Sequence, residues 1–294
     1  MIQVIAPGLF TTIQDLGRHH AAHLGVSPAG AADPLSLRIG NRLVGNPDHS
    51  PALEFTLQGG RYQFDAEATV AITGAAFDKA PMWQAIQVAK GTTVDIGTAQ
   101  SGARGYLCIR GGLDAPLIMN SASTHVLSGF GTPLKKGDRL AIANEFVGPA
   151  LTQTIHPPEQ RKHLRITSAA QTHEFDARQA IALMTSIYQV TDDSNRMGLR
   201  LKGGPLHPPH NGQMLSEGVA LGAIQIPPAG QPIILFVDAQ TTGGYPVIAS
   251  IISADLPSVG QLRPRDTITF EFVSFAAARR LLLEQEAFIQ AIRF

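Results

Sequence analysis

The sequence is poor in the features that mark disulfide-rich, membrane-spanning and nucleic-acid-binding proteins. Its 294 residues include one cysteine, Cys108, so an internal disulfide and a cysteine-based zinc site are excluded. Lysine plus arginine equals aspartate plus glutamate at 23 each, which leaves no surplus charge for a phosphate backbone. No apolar run approaches the roughly 18 residues that a spanning helix needs, and the first ten residues do not resemble a secretory leader. We therefore expect a cytoplasmic protein that binds neither nucleic acid nor membrane.

Familiar catalytic motifs are also missing. No lysine follows a glycine, so there is no glycine-rich phosphate loop, and dinucleotide-binding, nucleophile-elbow and zinc-helix motifs are absent as well. The ten histidines lack clear ligand spacing. The sequence therefore disfavours the common nucleotide-binding and hydrolase folds.

Short strands are the main structural signal. Glycine (29) and proline (20) are frequent, and between them lie short runs rich in β-branched residues. The predicted strands are Thr69–Thr73, Thr93–Ile96, Tyr106–Ile109, Arg139–Ala143, Ile233–Val237, Val247–Ile252 and Thr267–Val273. This pattern predicts a mainly β protein with antiparallel sheets closed into barrels.

Three helices are predicted from their capping residues. Asp33, Asp176 and Ser274 each precede a stretch with apolar residues at helical spacing. The last helix runs to the end of the chain, and its predicted buried side consists of Leu281, Leu282, Phe288, Ile289 and Ile292.

A faint internal repeat indicates two similar domains. Four landmarks recur in the same order in both halves. They pair Asp15–Arg18 with Asp193–Arg196, Leu53–Glu54 with Ser216–Glu217, Tyr106–Ile109 with Tyr245–Ile248, and Leu134–Asp138 with Leu262–Asp266. We predict domains at 1–150 and 151–294, joined by a proline-containing linker within 144–163.

The most unusual segment is Asp238-Ala-Gln-Thr-Thr-Gly-Gly-Tyr-Pro246, which joins two predicted strands. Its glycines allow an anion-binding nest of N–H groups, and Gln240, Thr241 and Thr242 add donors and acceptors for a small polar substrate. A β-hairpin turn with incidental polarity is the alternative.

Charged residues near strand ends are further candidates. Arg196 and Arg18 each follow an aspartate by three residues and offer a planar fork to a phosphate or carboxylate, or else form a loop-fixing ion pair. Glu217, ahead of the strand that contains Gln225, is a candidate base or magnesium ligand. Glu54 has the equivalent place in the first half.

Several long strings closely resemble one known family, the carboxyltransferase-like proteins also called allophanate hydrolase subunit 2, KipA or the C subunit of 5-oxoprolinase. The strings are PGLFTTIQDLGR (7–18), GAADPLSLRIGNRLVGN (30–46), LEFTL (53–57), GYLCIRGGL (105–113), NRMGLRL (195–201), SEGVALGAIQIP (216–227) and DAQTTGGYP (238–246). The resemblance implies two tandem cyclophilin-like β-barrel domains, in agreement with the repeat.

The resemblance also implies an activity and partners. A protein of this type is expected to open 5-oxoproline to glutamate with ATP and Mg²⁺, beside a KipI-like B subunit and an A subunit of the LamB/YcsF family. In that scheme the candidate catalytic residues are Glu217, Asp238 and Arg196. Candidate substrate-binding residues are Asp15, Arg18, Asn195, Gln225, Gln240, Thr241, Thr242, Gly243, Gly244 and Tyr245.

Two other functions stay open at this point. One is a biotin-dependent carboxyltransferase subunit that acts on urea or a similar amide, with biotin on a separate carrier, and the other is a non-catalytic KipA-type regulatory module. The sequence also departs from the family pattern. Ala122 replaces an arginine in Gly-Ser-Arg-Ser-Thr, Ser168-Ala169-Ala170 stands at Gly-Pro-Gln, and Arg265 replaces the glycine of Pro-Gly-Asp.

Overall fold

The computed structural model describes residues 1–143, 149–150, 152 and 154–292. Backbone contacts divide the chain into two compact units. The first comprises Met1–Arg18, Ala29–Glu159 and Phe288–Phe294, and the second His19–Pro28 and Gln160–Ala287. Residues 144–148, 151 and 153 of the predicted linker lie outside the described residues, and the domain limits 1–150 and 151–294 stay a prediction.

The first unit contains two five-stranded antiparallel sheets, in the orders β7-β4-β1-β10-β9 and β2-β3-β8-β5-β6. The strands are β1 Ile2–Ala6, β2 Thr11–Gln14, β3 Ala52–Thr56, β4 Arg61–Phe64, β5 Ala68–Phe77, β6 Ala85–Val88, β7 Thr93–Asp95, β8 Ala99–Ile109, β9 Leu113–Asp114 and β10 Arg139–Ile142. Side chains from both sheets, including Val4, Tyr62, Phe55 and Ile72, form one buried core.

Helix α1 (Pro34–Leu43) covers the other face of the second sheet. Leu107 and Ile109 of β8 face the core between the sheets, whereas Tyr106 and Cys108 pack in the cluster with α1, because successive side chains of a strand point to opposite faces. A Cβ atom at Gly40 of α1 would lie 2.6 Å from the Cys108 Sγ, so glycine permits this close approach. Both faces of β8 are therefore buried over residues 105–109.

The second unit is a closed seven-stranded barrel in the order β11-β18-β15-β16-β13-β12-β19, with a two-stranded ladder, β14-β17, beside it. Its strands are β11 His163–Ser168, β12 Tyr188–Val190, β13 Gly198–Lys202, β14 Glu217–Gly218, β15 Ala223–Gln225, β16 Ile233–Leu235, β17 Thr242–Gly243, β18 Val247–Ile251 and β19 Thr267–Phe272. The parallel pairing of β11 with β19 closes the barrel. The prediction of a mainly β chain with a barrel fold is confirmed.

The predicted helix starts are confirmed. Asp33 accepts a hydrogen bond from the Ser36 N–H before α1, and Asp176 accepts one from the Arg178 N–H before α2 (Ala177–Thr185). The Ser274 hydroxyl accepts one from the Ala277 N–H at the start of the last helix, α4 (Phe275–Ala291). A short helix not predicted from the sequence, α3, spans Leu256–Gly260.

The predicted buried side of α4 is only partly confirmed, because Leu281 and Leu282 are half-buried and Phe288 is exposed. Ile289 and Ile292 are buried in the cluster with α1, but the Phe288 side chain is 44% exposed. Adjacent helical residues point about 100° apart, so Phe288 and Ile289 cannot share one narrow buried stripe. Among the described residues, no helix has the length and apolar character needed to cross a bilayer.

Candidate functional site

Two clefts in the second unit share Tyr245 as part of their walls. The smaller cleft has a volume of about 150 Å³ and is lined by Gln171, Glu217 and Gly243 among others. The larger has a volume of about 510 Å³ and is lined by Asn195, Gln225 and Gln240 among others. Six of the predicted site residues therefore line one or both of these clefts.

The glycine-rich turn is held against the segment that carries Glu217. In the β14-β17 ladder Glu217 lies opposite Gly243, and the Met214 N–H donates to the Gly244 carbonyl at 2.9 Å. The Val219 N–H donates to the Thr241 carbonyl at 3.0 Å. The segment is not a β-hairpin turn, because the strands that it joins, β16 and β18, each pair with β15 and not with each other. Its position beside the clefts agrees with the binding hypothesis.

The role of the two glycines differs from the predicted anion nest. Neither Gly243 nor Gly244 has a left-handed φ, and Gly243 continues the antiparallel ladder. A Cβ atom at Gly243 would lie 2.6 Å from the Gln225 Nε2. Gly243 therefore makes room for a buried amide, and Thr241, Thr242 and Gly244 do not line either cleft.

Gln171 fixes the carboxylate of Glu217. Its Nε2 donates to the Glu217 Oε2 at 3.0 Å, and its Oε1 accepts from the Val247 N–H at 3.4 Å. Gln171 is buried whereas Glu217 is exposed, so the pair presents an oriented carboxylate at the mouth of the smaller cleft. Sequence reasoning missed Gln171, although it follows Ser168-Ala169-Ala170 directly. If the family pattern Gly-Pro-Gln is aligned one residue later, its glutamine falls on Gln171.

The larger cleft lies on the outer face of the barrel. The strand register places Arg200 of β13 opposite Ile233 of β16, and Ile233 opposite Gln225 of β15. All three residues line the cleft. Since directly paired residues point to the same face of a sheet, they form one row of side chains across three strands.

Arg196 and Asp238 contact each other. The Arg196 Nε donates to one carboxylate oxygen of Asp238 at 2.8 Å and its Nη2 to the other at 3.0 Å, and both side chains are only 11% exposed. The Asp238 N–H also donates to the Arg196 carbonyl at 2.9 Å. Neither residue lines either cleft. The geometry is that of a two-point ion pair that joins two loops, and the catalytic roles assigned to both residues stay predictions.

Asp15 and Arg18 hold a loop of the first unit. The Asp15 carboxylate accepts from the Ser121 hydroxyl and the Ala122 N–H, each at 2.7 Å. The Arg18 Nε donates to the Ile118 carbonyl at 3.3 Å. Both residues are buried, and no ion pair between them is seen among the described contacts. Their contacts explain a loop-fixing role without a ligand.

Glu54 is likewise buried in hydrogen bonds. Its Oε2 accepts from the Tyr106 hydroxyl at 2.7 Å and from the Ala32 N–H at 2.8 Å. Burial, followed by the nearby charge of Glu54, raises the pKa of Tyr106 well above its usual value, so the tyrosine stays a donor. The equivalence of Glu54 and Glu217 in the repeat therefore does not extend to their surroundings.

The described residues do not fit a magnesium site made by the protein alone. Nowhere in the described ranges do three or more histidine, cysteine, aspartate or glutamate side chains cluster as metal ligands do. Of the described residues that line the two clefts, Glu217 alone carries a carboxylate. Magnesium prefers six oxygen ligands in an octahedron, and one cleft carboxylate does not supply such a site from protein groups alone.

Most of the chain matches a known protein family. Residues 24–272 match the family described as carboxyltransferase domain, subdomain A and B. The chain belongs to this family. Among curated relatives it is 36% identical to the C subunit of Haemophilus influenzae 5-oxoprolinase, over 100% of this chain and 98% of the relative, and 36% identical to the Escherichia coli protein of the same name, over 99% and 97%.

Family members with other functions are also similar. The chain is 32% identical to Saccharomyces cerevisiae urea amidolyase over 99% of its own length but only 18% of that protein. The crystal structure of Kluyveromyces lactis urea amidolyase matches 99% of this chain and 20% of that one, with a TM-score of 0.92 and 30% identity. The family resemblance found in the sequence is confirmed, and the relatives are enzymes or subunits of enzymes.

Proposed function

We propose that this chain is a subunit of an ATP-dependent 5-oxoprolinase. The observation that carries the proposal is its 36% identity to two 5-oxoprolinase C subunits over nearly the whole length of each. The proposed partners are a KipI-like B subunit and an A subunit of the LamB/YcsF family. The proposed reaction converts 5-oxoproline, ATP and two water molecules to glutamate, ADP and phosphate.

The chemistry requires activation of the substrate because amide resonance makes the lactam carbon a poor electrophile. In the proposed reaction the lactam oxygen attacks the γ-phosphorus of ATP, and ADP leaves. Water then attacks the activated carbon, the C–N bond breaks and the nitrogen takes up a proton. A second water releases phosphate from the resulting acyl phosphate. The protein must therefore orient the lactam, admit water and accept a proton.

The smaller cleft supports the proton-accepting role. Glu217 is oriented there by the Gln171 amide at 3.0 Å, and the cleft wall is completed by Gly243 and Tyr245. A carboxylate held in this way can accept a proton from water within hydrogen-bond reach. We assign this role to Glu217, and we assign contact with the amide substrate to the residues of the Gln240–Tyr245 turn that line a cleft, which are Gln240, Gly243 and Tyr245.

The test replaces Glu217 with glutamine in the assembled complex. Glu217→Gln keeps the shape of the side chain but removes a proton acceptor, so we expect ATP-dependent glutamate formation to fall about 100-fold or more. The measurement is the production of glutamate and ADP from 5-oxoproline and ATP by the mixed subunits. Unchanged glutamate formation would remove Glu217 from the reaction.

A matched control is Glu284→Gln on α4, where the carboxylate is exposed and forms a surface ion pair with Arg280 at 3.5 Å. Such pairs contribute little to stability, so this variant should keep full activity. If both variants lose activity equally, the loss reflects assembly of the complex and not the chemistry at Glu217. A wild-type complex that forms no glutamate would refute the proposed function itself.

A second candidate function is transfer of a carboxyl group to an amide from biotin on a separate carrier. It is favoured by the urea amidolyase structure, which matches 99% of this chain with a TM-score of 0.92. The same oriented carboxylate and amide-lined cleft would serve such a transfer. Biotin-carrier-dependent carboxylation of urea by the mixed subunits, in place of glutamate formation, would support it.

A further inference from the structure

The larger cleft of the second unit contains a cationic side chain that no described residue pairs with. Arg200 lines the cleft and is exposed, while its neighbours Leu199 and Leu201 point into the barrel and are buried. Ser194 and Thr191 bond only to the backbone of Arg200. Within the described ranges no residue accepts a hydrogen bond from its guanidinium. The fork is therefore available to a ligand.

The charge of the cleft favours an anion. None of the described residues that line it is acidic, so nothing within the described part of the cleft neutralises Arg200. The smaller cleft has the opposite charge, because its described lining contains Glu217 and no basic residue. A carboxylate would be repelled by Glu217 and attracted by Arg200.

A buried amide points to the second group of the ligand. Gln225 is 1% exposed, and its Nε2 donates to the Tyr245 carbonyl at 3.3 Å. Its Oε1 has no hydrogen-bond partner among the described residues. This acceptor is not fully sealed from the surface, so a ligand N–H in the cleft can donate to it.

The register sets the spacing of the two groups. Gln225 and Arg200 lie in one row with Ile233 between them, so their Cα atoms are about 10 Å apart at the usual strand separation. The long Arg200 side chain and the shorter Gln225 side chain can therefore contact neighbouring groups of one small ligand that lies over Ile233. Asn195, Gln240 and Tyr245 add neutral polar groups at the rim. One cation among neutral amides matches a singly charged ligand better than a triphosphate.

We infer that the larger cleft binds a small molecule that carries one carboxylate and one amide, with the carboxylate on Arg200 and the amide N–H on the Gln225 Oε1. This inference rests on the proposed function, in which 5-oxoproline is that molecule. It adds a specificity-determining residue, Arg200, that the sequence-based site did not include. Tyr245 connects this cleft to the one that contains Glu217.

The test uses Arg200→Gln and Arg200→Lys in the assembled complex. Loss of a charge-assisted hydrogen-bonded pair should raise the KM for 5-oxoproline about 10- to 100-fold in Arg200→Gln, with kcat little changed and the KM for ATP unchanged. Arg200→Lys should be intermediate because lysine keeps the charge without the fork. Inhibition by 2-pyrrolidinone, which has the lactam but no carboxylate, should be equal in wild type and Arg200→Gln.

The matched control is Lys202→Gln, which removes an exposed cation from the same strand outside the cleft. It should leave the KM for 5-oxoproline unchanged. An unchanged KM in Arg200→Gln, an equal rise in Lys202→Gln, or a rise in the KM for ATP in place of that for 5-oxoproline would overturn the inference.

Saturation-transfer NMR of 5-oxoproline with the complex, without ATP, separates the two proposals. Binding that depends on Arg200 without glutamate formation would refute the proposed function and keep the anion site. Glutamate formation with an unaltered KM and unaltered binding in Arg200→Gln would overturn the role of Arg200 and keep the proposed function. Absence of any 5-oxoproline binding to the wild type would overturn the inference.

Discussion

Arg196 and Asp238 join two loops of the second unit, and we expect removal of either partner to destabilise that unit. Two charge-assisted hydrogen bonds of 2.8 and 3.0 Å connect them, and each side chain is 11% exposed. Breaking a fully buried pair costs about 3–5 kcal/mol, whereas an exposed pair contributes less than about 1 kcal/mol. For this small exposure we expect about 2–3 kcal/mol from Arg196→Met or from Asp238→Asn.

The double variant decides whether the two residues act as a unit. Arg196→Met with Asp238→Asn leaves neither charge buried alone, so its loss should be close to that of one single variant. The resulting coupling free energy is about 2 kcal/mol. Urea unfolding followed by far-UV circular dichroism gives the three values, and hydrogen exchange of the Asp238 N–H, which donates to the Arg196 carbonyl, gives the local opening.

If the stability losses of the two single variants add up in the double variant, Arg196 and Asp238 do not act as a unit. A coupling below about 0.5 kcal/mol would mean that the guanidinium is not committed to Asp238. Arg196 would then again be a candidate ligand for phosphate, as the sequence suggested. A strong coupling together with retained glutamate formation in Asp238→Asn would instead leave the pair as a structural support beside the site.

Two further predictions concern local stability. Gly243→Ala places a Cβ 2.6 Å from the buried Gln225 amide and should lower the free energy of unfolding by about 1–3 kcal/mol. The control Gly218→Ala places its Cβ where no other heavy atom lies within 4 Å and should cost about 1 kcal/mol or less. Thermal unfolding of the two variants measures the difference. Burial raises the pKa of Asp48, but hydrogen bonds from two arginines outweigh it and lower that pKa below its usual value. Its stabilisation is therefore present above about pH 4 and lost as the pH falls through the lowered pKa. Asp48→Asn should cost about 1 kcal/mol at neutral pH and progressively less in acid, as measured by Trp83 fluorescence; an equal loss at all pH values would contradict this.

Features that depend on neighbouring residues were predictable from the sequence. The caps at Asp33, Asp176 and Ser274 are confirmed because a capping side chain bonds to an N–H two or three residues ahead. The strands at Tyr106–Ile109 and Thr267–Phe272 were predictable for a similar reason, since β-branched and apolar runs between turns carry their own signal.

The composition of the site was only partly predictable. Glu217, Tyr245 and Gln225 were found from a family resemblance and a polar turn, and each lines a cleft. Gln171 and Arg200 were missed, although Arg200 lies in the family string NRMGLRL, because a sequence pattern does not show which side chains face a cleft. Gln171 reaches Glu217 across 46 residues of sequence, and no local pattern reports that contact.

The sequence by itself determined the class of the chain, its mainly β character, the starts of its helices and its family, because these depend on composition, local capping and long matching strings. Only the tertiary structure decided which polar residues are partners and which are available. Arg196 and Arg18 have the same spacing from an aspartate, yet one forms an ion pair with Asp238 and the other bonds to loop carbonyls, while the fork of Arg200 has no partner in the described part of the chain. Strand register brings together side chains that are distant in sequence, and that register is fixed by barrel closure and core packing over the whole unit.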